Sequence, residues 1–520
     1  MKNIQGKPRL ERIVFIAIVF LIQIAWFVII FKRLIDYAAW MNVVLIGLSL
    51  VIILYIIRNN DSPAYRTSWI MLIGLFPIFG GLLYFLTGNK RPAKGMRNKL
   101  YSQQTKFSHV MEEVPDAQEE LQALDSRIGG LSQYLRSYDN MPVYSNTDVK
   151  YFPSGESMMN DLIYDLKQAK KFIFIEFFIV EYGVMFDAIF DVLKEKAREG
   201  VDVRFIYDDF GSITRLPVNF DEQCEALGIK ALKFNPVKPV VSLLYNTRDH
   251  RKYVIIDGKI GYTGGVNIAD EYINVKERFG YWKDTMIRMD GPATWNLTVL
   301  FLNMWNAFYP IDRSYDAFYD QEMMVASQES LTTTEEYLTE GFVQPFGDSP
   351  LDEEALGENV YRDMLNYAVD YVYIYTPYLV ISYELQTALE MAAKRGVDVR
   401  LMTPGIPDKK LVFRMTRSYY RPLLKAGVKI YEYSPGFLHA KSMVVDDVMA
   451  TVGTINFDYR SLYLHFETST QLYYHPIIAD IKADFLDSQA QSRQITLADT
   501  RTSFLGEIWD SILRLIAPFV

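Results

Sequence analysis

The hydrophobic pattern changes scale near residue 90. Before it, long apolar runs alternate with short polar breaks. Residues 13–31 are apolar except for Gln23, and a helix of 19 residues rising about 1.5 Å each spans roughly the hydrocarbon core of a bilayer. Residues 38–57 form a second run of that kind, with Asn42 and Ser49 as its strongly polar members. Both predict membrane-spanning helices. A third run, 69–86, contains Pro77, Gly80 and Gly81, which free backbone groups that lipid cannot satisfy. It predicts a kinked segment that re-enters the membrane without crossing it.

Positive charge sets the expected orientation. Lys2, Lys7, Arg9 and Arg12 precede the first run, and Lys90, Arg91, Lys94, Arg97 and Lys99 follow the third. Two crossings put both clusters on the cytoplasmic side, although Lys32 and Arg33 in the first loop pull weakly the other way. The expectation is therefore a multi-pass protein of the cell membrane with its bulk in the cytoplasm. A cleaved signal peptide fits poorly, because the first run is long, ends at Lys32-Arg33 and is followed at once by another.

Beyond the anchor the pattern shortens. KKFIFIEFFIV (170–180) is a dense β-branched and aromatic run, followed by helical periodicity in DAIFDVLKEKAREG and a further apolar run in VDVRFIYDDFG. This strand, helix, strand order returns in DYVYIYTPYLV (370–380), ELQTALEMAAKRG and VDVRLMTPG. GVDVR stands at the same helix-to-strand junction in both places, 200–204 and 396–400, which identifies an internal duplication. The acidic, Ser/Thr-rich stretch 327–341 separates the copies. The expected fold class is α/β: two duplicated domains of βαβ units with mixed sheets, behind an N-terminal helical anchor. The expected boundaries are 1–91 for the anchor, 92–140 for a linker, which the polar pattern allows to be helical, 141–320 for the first domain, 321–355 for an inter-domain linker, 356–500 for the second domain and 501–520 for a C-terminal amphipathic helix. That last helix suits either a membrane surface or packing on the body.

Composition narrows the chemistry. The 520 residues carry 54 Lys+Arg against 63 Asp+Glu, a net charge of −9, which argues against nucleic acid as a partner. The single cysteine, Cys224, excludes a disulfide framework and any cysteine-based metal cluster. Five histidines exist, His109, His250, His439, His465 and His475, so a site that needs imidazole has few sources.

Two of those five open matching strings. HRKYVIIDGKIGYTGGVN supplies His250, Lys252, Asp257, Gly264, Gly265 and Asn267, and HAKSMVVDDVMATVGTIN supplies His439, Lys441, Asp446, Gly453, Thr454 and Asn456 at the same offsets. Residues two apart on a strand share a face, so each His and Lys project together. Asp257 and Asp446, opposite in parity and beside a turn, read as supports for the catalytic set more than as attacking groups. Small residues before each Asn let its amide approach an oxyanion closely.

Brought face to face, the two strings assemble two imidazoles, two ammonium groups and two amides. That set suits a phosphodiester and asks for no metal or other cofactor. Lys252, Lys441, Asn267 and Asn456 would hold the phosphoryl oxygens while one His attacks phosphorus and the other protonates the leaving oxygen. Each imidazole needs an acceptor on its other nitrogen to fix its tautomer. Asp284 and Glu467, in the strand-like runs after the two motifs, are the candidates.

The paired motif resembles the signature of the phospholipase D superfamily, H-x-K-x4-D followed by G-[GST]-x-N, two copies to a site. The paired apolar runs, RDHRK before the first motif, GFLHAK into the second and NFDYRS (456–461) after it are similar to the bacterial cardiolipin synthases. The resemblance implies two phospholipase D-like domains and a metal-independent transfer in which two phosphatidylglycerol molecules give cardiolipin and glycerol. It also implies a phosphohistidine intermediate, with His250 as the nucleophile, and phosphatidylglycerol and membrane lipids as partners. The alternative is a membrane-bound hydrolase that uses the same pocket with water. Oligomeric state is not legible in the sequence.

Overall fold

A computed structural model describes residues 7–33, 35–59, 62–88, 92–112, 114, 116–237, 247–324, 340–352 and 354–519. The apolar runs of the N-terminus are helices: α1 (Lys7–Arg33), α2 (Ile35–Arg58), α3 (Pro63–Leu75) and α4 (Pro77–Thr87). Among the described residues one helical stretch, Trp40–Arg58, is long and apolar enough to cross a membrane, and Ala17–Ile29 and Pro77–Thr87 are shorter apolar stretches. By this measure the described helices yield one crossing, where the run lengths predict two.

The third run is two helices, broken at Phe76 where Pro77 interrupts the ladder. The donors exposed by that break are taken up by a side chain of α1. Gln23 Oε1 accepts from the backbone N–H groups of Ile78 (3.1 Å) and Phe79 (3.2 Å). The one polar residue of the first apolar run is thus fully buried as the cap of α4. Gly80 lets α4 fold back on α3, since a Cβ there would meet Ile73 Cα at 2.8 Å. These helices and the C-terminal segment from Phe504 make up one compact unit, and Lys94–Pro236 with Arg248–Ser503 make up another.

In the second unit, the polar stretch expected as a linker (92–140) is helical over Lys94–Lys106, His109–Glu112, Gln118–Leu124 and Ser126–Asp139. It packs on the body, burying Leu100, Phe107, Met111, Leu121, Ile128 and Leu135, with Phe107 stacked on Tyr315 at 4.1 Å. These apolar residues face inward, so the stretch is part of the folded body and not a free connection. The boundary stretch expected at 327–341 lies mostly outside the described residues.

The first half contributes β1 (Asp148–Phe152), β2 (Phe172–Phe177), β3 (Asp202–Asp208), β4 (Lys230–Phe234), β5 (Arg248–Asp249), β6 (Lys252–Ile256), β7 (Ile260–Gly264), β8 (Tyr281–Lys283) and β9 (Met286–Asp290). The second contributes β10 (Phe342–Asp348), β11 (Tyr371–Tyr375), β12 (Leu379–Val380), β13 (Asp398–Pro404), β14 (Lys429–Tyr433), β15 (Gly436–Leu438), β16 (Ser442–Val445), β17 (Met449–Gly453), β18 (Phe457–Asp458), β19 (His465–Tyr473) and β20 (Ser492–Ile495). The first sheet runs β1-β9-β7-β6-β2-β3-β4 and the second β10-β19-β17-β16-β11-β13-β14-β20. Up to the added edge strand β20, this is one order used twice. In each sheet the strands joined through helices pair in parallel and the hairpin strands antiparallel, so both sheets are mixed.

GVDVR serves the same junction in both copies. Gly200 (φ 92°) and Gly396 (φ 100°) take the left-handed conformation that ends a helix. Arg204 and Arg400 then pair with the aspartate two residues before them on the strand, Asp202 (2.7 Å) and Asp398 (2.5 Å).

The halves meet through two short reciprocal ladders. β5 pairs in parallel with the start of β19, and β15 pairs in parallel with β8. The strand that leads into each motif histidine is therefore bonded to the strand that holds, or leads to, the candidate carboxylate of the other half.

Candidate active site

The β6–β7 and β16–β17 hairpins turn at the motif aspartates. Asp257 (φ 54°) and Asp446 (φ 50°) adopt left-handed backbone, which a short polar side chain tolerates. Their carboxylates are spent on backbone at the start of a neighbouring strand. Asp257 accepts from the N–H groups of Lys170 (2.8 Å), Lys171 (2.7 Å) and Phe172 (2.9 Å). Asp446 accepts from Val369 (2.7 Å), Asp370 (3.0 Å) and Tyr371 (2.7 Å). Both aspartates therefore leave the catalytic set and stand as supports of the sheet.

The histidines are buried side chains just off strand ends. The backbone N–H of His250 donates to Phe466 O (2.8 Å), and that of His439 to Lys283 O (2.7 Å), continuing the two ladders. These bonds bring each ring to a carboxylate of the opposite half. His250 Nδ1 lies 2.9 Å from both carboxylate oxygens of Glu467, and His439 Nδ1 lies 2.6 Å from Asp284 Oδ2. An ionised carboxylate only accepts, so while Asp284 and Glu467 are ionised each Nδ1 carries the proton and each Nε2 keeps its lone pair.

The glycine-containing bends serve these carboxylates. A Cβ on Gly265 would fall 1.9 Å from Asp284 Oδ1, so only glycine admits the carboxylate there. At the matching position Thr454 donates its hydroxyl to Glu467. Small residues at this bend make room for the orienting acid rather than for an oxyanion.

Lys252 Nζ donates to the carbonyl of His250 (2.5 Å) and Lys441 Nζ to that of His439, which places each ammonium beside its ring. Lys441 Nζ also lies 2.7 Å from His439 Nδ1, whose single N–H is directed to Asp284, so this is proximity and not a second bond. Asn267 is already engaged: its Oδ1 accepts from Ile179 N–H (2.9 Å) and its Nδ2 donates to Tyr272 OH (2.8 Å). In this structure it therefore braces the bend against Tyr272 and the Ile179 segment, with one of the two Nδ2 hydrogens used in doing so. Asn456 is buried with its Oδ1 unpaired.

Electrostatics follow from burial of like charges. Burial, then Lys252 and the neighbouring His465, Lys441 and His439, hold His250 far below the usual imidazole range. Burial and Lys441 lower His439 to about 4, against the pull of Asp284. Burial pushes Lys252 down to about 7 and Lys441 to about 8. Glu467 is raised by burial, which Lys252 only partly offsets, whereas at Asp284 the charges of Lys441 and His439 overcome burial and lower it. Two neutral imidazoles and two ammonium groups whose charge burial disfavours form a site that an anion relaxes.

Sequence reasoning left three features unassigned. Trp282 and Tyr272 pack on His439, each with its ring centroid at 5.4 Å, and Phe178 meets His250 edge-on at 5.0 Å. His465 lies buried with its ring 5.6 Å from that of His250. The scarcity of histidine and the two-residue spacing from Glu467 were the available signals. His250, His465 and Glu467 bring ligand atoms within 4.8 Å of one another, as a metal site would. Their surroundings do not fit a cation, because Glu467 is spent on His250 and the ammonium groups of Lys252 and Lys441 stand close enough to depress that ring.

Comparison with known proteins gives the family and the fold. The family described as "Cardiolipin synthase, PLD-like domain" matches residues 162–282 and 361–488, and "Phospholipase_D-nuclease N-terminal" matches 47–89. A cardiolipin synthase of Geobacillus sp. (strain WCH70) is 34% identical over 491 residues, covering 92% of this chain and 93% of its own. An uncharacterized protein of Streptococcus mutans serotype c is 40% identical over 469 residues, covering 90% and 99%. Among solved structures, the phosphatidylserine synthase of Haemophilus influenzae Rd KW20 shares the fold, with a TM-score of 0.54 at 15% identity over 75% of this chain and 98% of that one.

Proposed function

The chain belongs to the cardiolipin synthase family of phospholipase D-like enzymes and is a phosphatidyltransferase acting on membrane phospholipids, and from that premise we propose that it joins two phosphatidylglycerol molecules into cardiolipin and glycerol. The observation that carries the mechanism is the pair of neutral, carboxylate-oriented imidazoles beside two ammonium groups.

In the first step His250 Nε2 attacks the phosphorus of one lipid. The P–O bond to glycerol breaks, and the departing oxygen takes a proton from His439, which the bound phosphate's charge has allowed to become cationic. In the second step the hydroxyl of the other lipid gives its proton to His439 and attacks phosphorus, and the P–N bond breaks to free His250. Lys252 and Lys441 balance the charge that grows on the phosphoryl oxygens. Glu467 and Asp284 steady the imidazolium forms across the halves.

The membrane arrangement we propose has α1 and α2 as two spans and α3–α4 as a broken hairpin. Both N-terminal and post-hairpin basic clusters then face the cytoplasm. Location in the membrane explains the preference for a lipid alcohol over water, since a substrate headgroup is delivered there and water is restricted.

The test is product analysis with purified full-length protein in detergent micelles of phosphatidylglycerol, with chelator present. Cardiolipin and glycerol in equal amounts are expected. Phosphatidic acid as the main product would replace transfer by hydrolysis, and dependence on an added divalent ion would overturn the mechanism.

A further inference from the structure

Beside the reacting groups lies a second basic cluster that the two-step mechanism leaves unused. Arg248, on β5 and two residues before His250, stands directly opposite His465 in the ladder between β5 and β19. It is 3% exposed and lies over the ring of Phe210 at 5.0 Å. Its Nη1 donates to Asn235 O (2.9 Å), its nearest acid oxygen, on Asp208, is 3.9 Å away, and its Nε is buried without a hydrogen-bond partner. The neighbouring acids are committed elsewhere: Asp208 accepts from the N–H groups of Phe210, Gly211 and Asp249, and Asp249 pairs with Arg251 (3.1 Å).

His465 is the second element. Both of its ring nitrogens are buried with no hydrogen-bond partner, and Glu467 is 3.8 Å from Nδ1, beyond bonding distance. The third is Arg460, on the Tyr459–Tyr463 helix that follows the second motif. That helix packs against β19, the strand that His465 opens, and after burial the charges of Arg460 and Arg248 are the leading influences that keep the ring neutral. Buried polar groups are ordinarily paired, and a ring with two unpaired nitrogens, opposite a buried guanidinium whose Nε is also unpaired, is a site built for an anion.

Making cardiolipin requires two phosphates in the site at once. The first is on the phosphohistidine, beside Lys252 and Lys441. The second belongs to the accepting lipid, one glycerol bridge from the attacking oxygen. Water and free glycerol bring no such phosphate. We infer that Arg248, Arg460 and His465 form the subsite that holds the phosphodiester of the accepting lipid, an assignment that rests on the phosphatidyl transfer proposed above. The cluster selects a second anionic lipid over smaller hydroxyl acceptors, and so decides between synthesis and simple exchange.

The experiment compares two reactions of the full-length protein in phosphatidylglycerol micelles: cardiolipin formation, and exchange of labelled free glycerol into phosphatidylglycerol. Both pass through the same phosphohistidine, and only the first uses an acceptor phosphate. In Arg248→Met and His465→Leu the ratio of cardiolipin formation to exchange should fall about tenfold or more, the loss of one charge-assisted contact, with a raised KM for lipid. Arg248→Lys should recover part of the ratio. Thermal unfolding identifies any variant that has not folded, in which case Arg460→Met is read in its place. A ratio that stays level, or two reactions that fall in parallel, overturns the subsite while leaving the transfer mechanism standing. Unaltered protein that performs neither reaction overturns the transfer mechanism and the subsite together.

Discussion

The Nδ1 of His250 sits 2.9 Å from both carboxylate oxygens of Glu467, a residue 217 positions away in the opposite half of the repeat. His439 and Asp284 repeat the relationship in reverse at 2.6 Å. Each half thus supplies a histidine that the other half orients, and neither half holds a complete catalytic group.

This crossing fixes what loss of a carboxylate does. Glu467→Gln offers His250 an amide that can donate, which favours the wrong tautomer, and Asp284→Asn does the same to His439. Each should lower kcat by about 100-fold or more with KM changed only a few-fold, because orientation of the imidazole matters most in the transition state. Steady-state kinetics with phosphatidylglycerol, together with thermal unfolding to show that the variants fold, check this. Variants with near-normal kcat would remove the two acids from the mechanism.

The lysines predict the alkaline limb of the pH profile. A lysine holds phosphate while protonated, and in the free enzyme burial brings Lys252 down to about 7 and Lys441 to about 8. As pH rises through that range the ammonium charge is lost, so kcat/KM should fall from about pH 7 upward. Lys252→Arg, which keeps its proton at any working pH, should displace the fall upward even though its fork fits the site less well and lowers the maximum. On the acid side the nucleophile His250 has to be neutral, and burial and Lys252 hold it far below the usual imidazole range, so activity should hold down to about pH 5. A profile that keeps rising beyond about pH 9 would show that neither ammonium binds substrate.

Asp257 and Asp446 should behave as structural residues. Each carboxylate receives three backbone N–H groups at the start of a central strand. Replacing either with Asn removes the charge from all three bonds, and a bond to a charged group contributes about 1.5–3 kcal/mol, so a loss of about 2–4 kcal/mol and a lower Tm are expected. Folded protein should retain kcat within about threefold, as a group outside the reacting set would. A large loss of kcat at unchanged Tm would return the aspartates to the chemistry.

Much of this was legible along the chain because it depends on local spacing. The duplication, the shared face of His250 and Lys252, and the turn at Asp257 follow from strand parity and turn chemistry. Asp284 and Glu467 stood out as acids in strand-like runs after the motifs. Which histidine each acid serves depends on the ladders β5·β19 and β15·β8, and no local period encodes how two halves meet. The bracing of Asn267 was out of reach for a related reason: its partners are Tyr272, five residues on, and Ile179 on a distant segment. Between Lys94 and Asp139 the polar average fits a linker or helices alike, and the few inward-facing residues such as Leu121 and Ile128 that decide for packed helices do not shift it.

The C-terminal helix Phe504–Ile516 gives the last prediction. Phe504, Leu505, Ile508, Trp509 and Ile512 recur at helical spacing and are exposed, Phe504 and Leu505 at 76% each. The helix is tied to α3 on its other side: Ser68 donates to Leu515 O (2.6 Å), and the ring of Phe519 meets Trp69 at 4.8 Å. An apolar stripe held against the helices of the anchor has the character of one that lies in the membrane interface. The chain's only cysteine, Cys224, is buried, which makes a single-site probe practical. With Cys224→Ala and Trp509→Cys, an environment-sensitive fluorophore on the new thiol should shift to the blue in phosphatidylglycerol vesicles and be quenched by lipids carrying a quencher on the upper acyl chain. A label that keeps its aqueous spectrum and responds only to a water-soluble quencher would place this face in solvent, and the stripe would then need a protein partner to cover it.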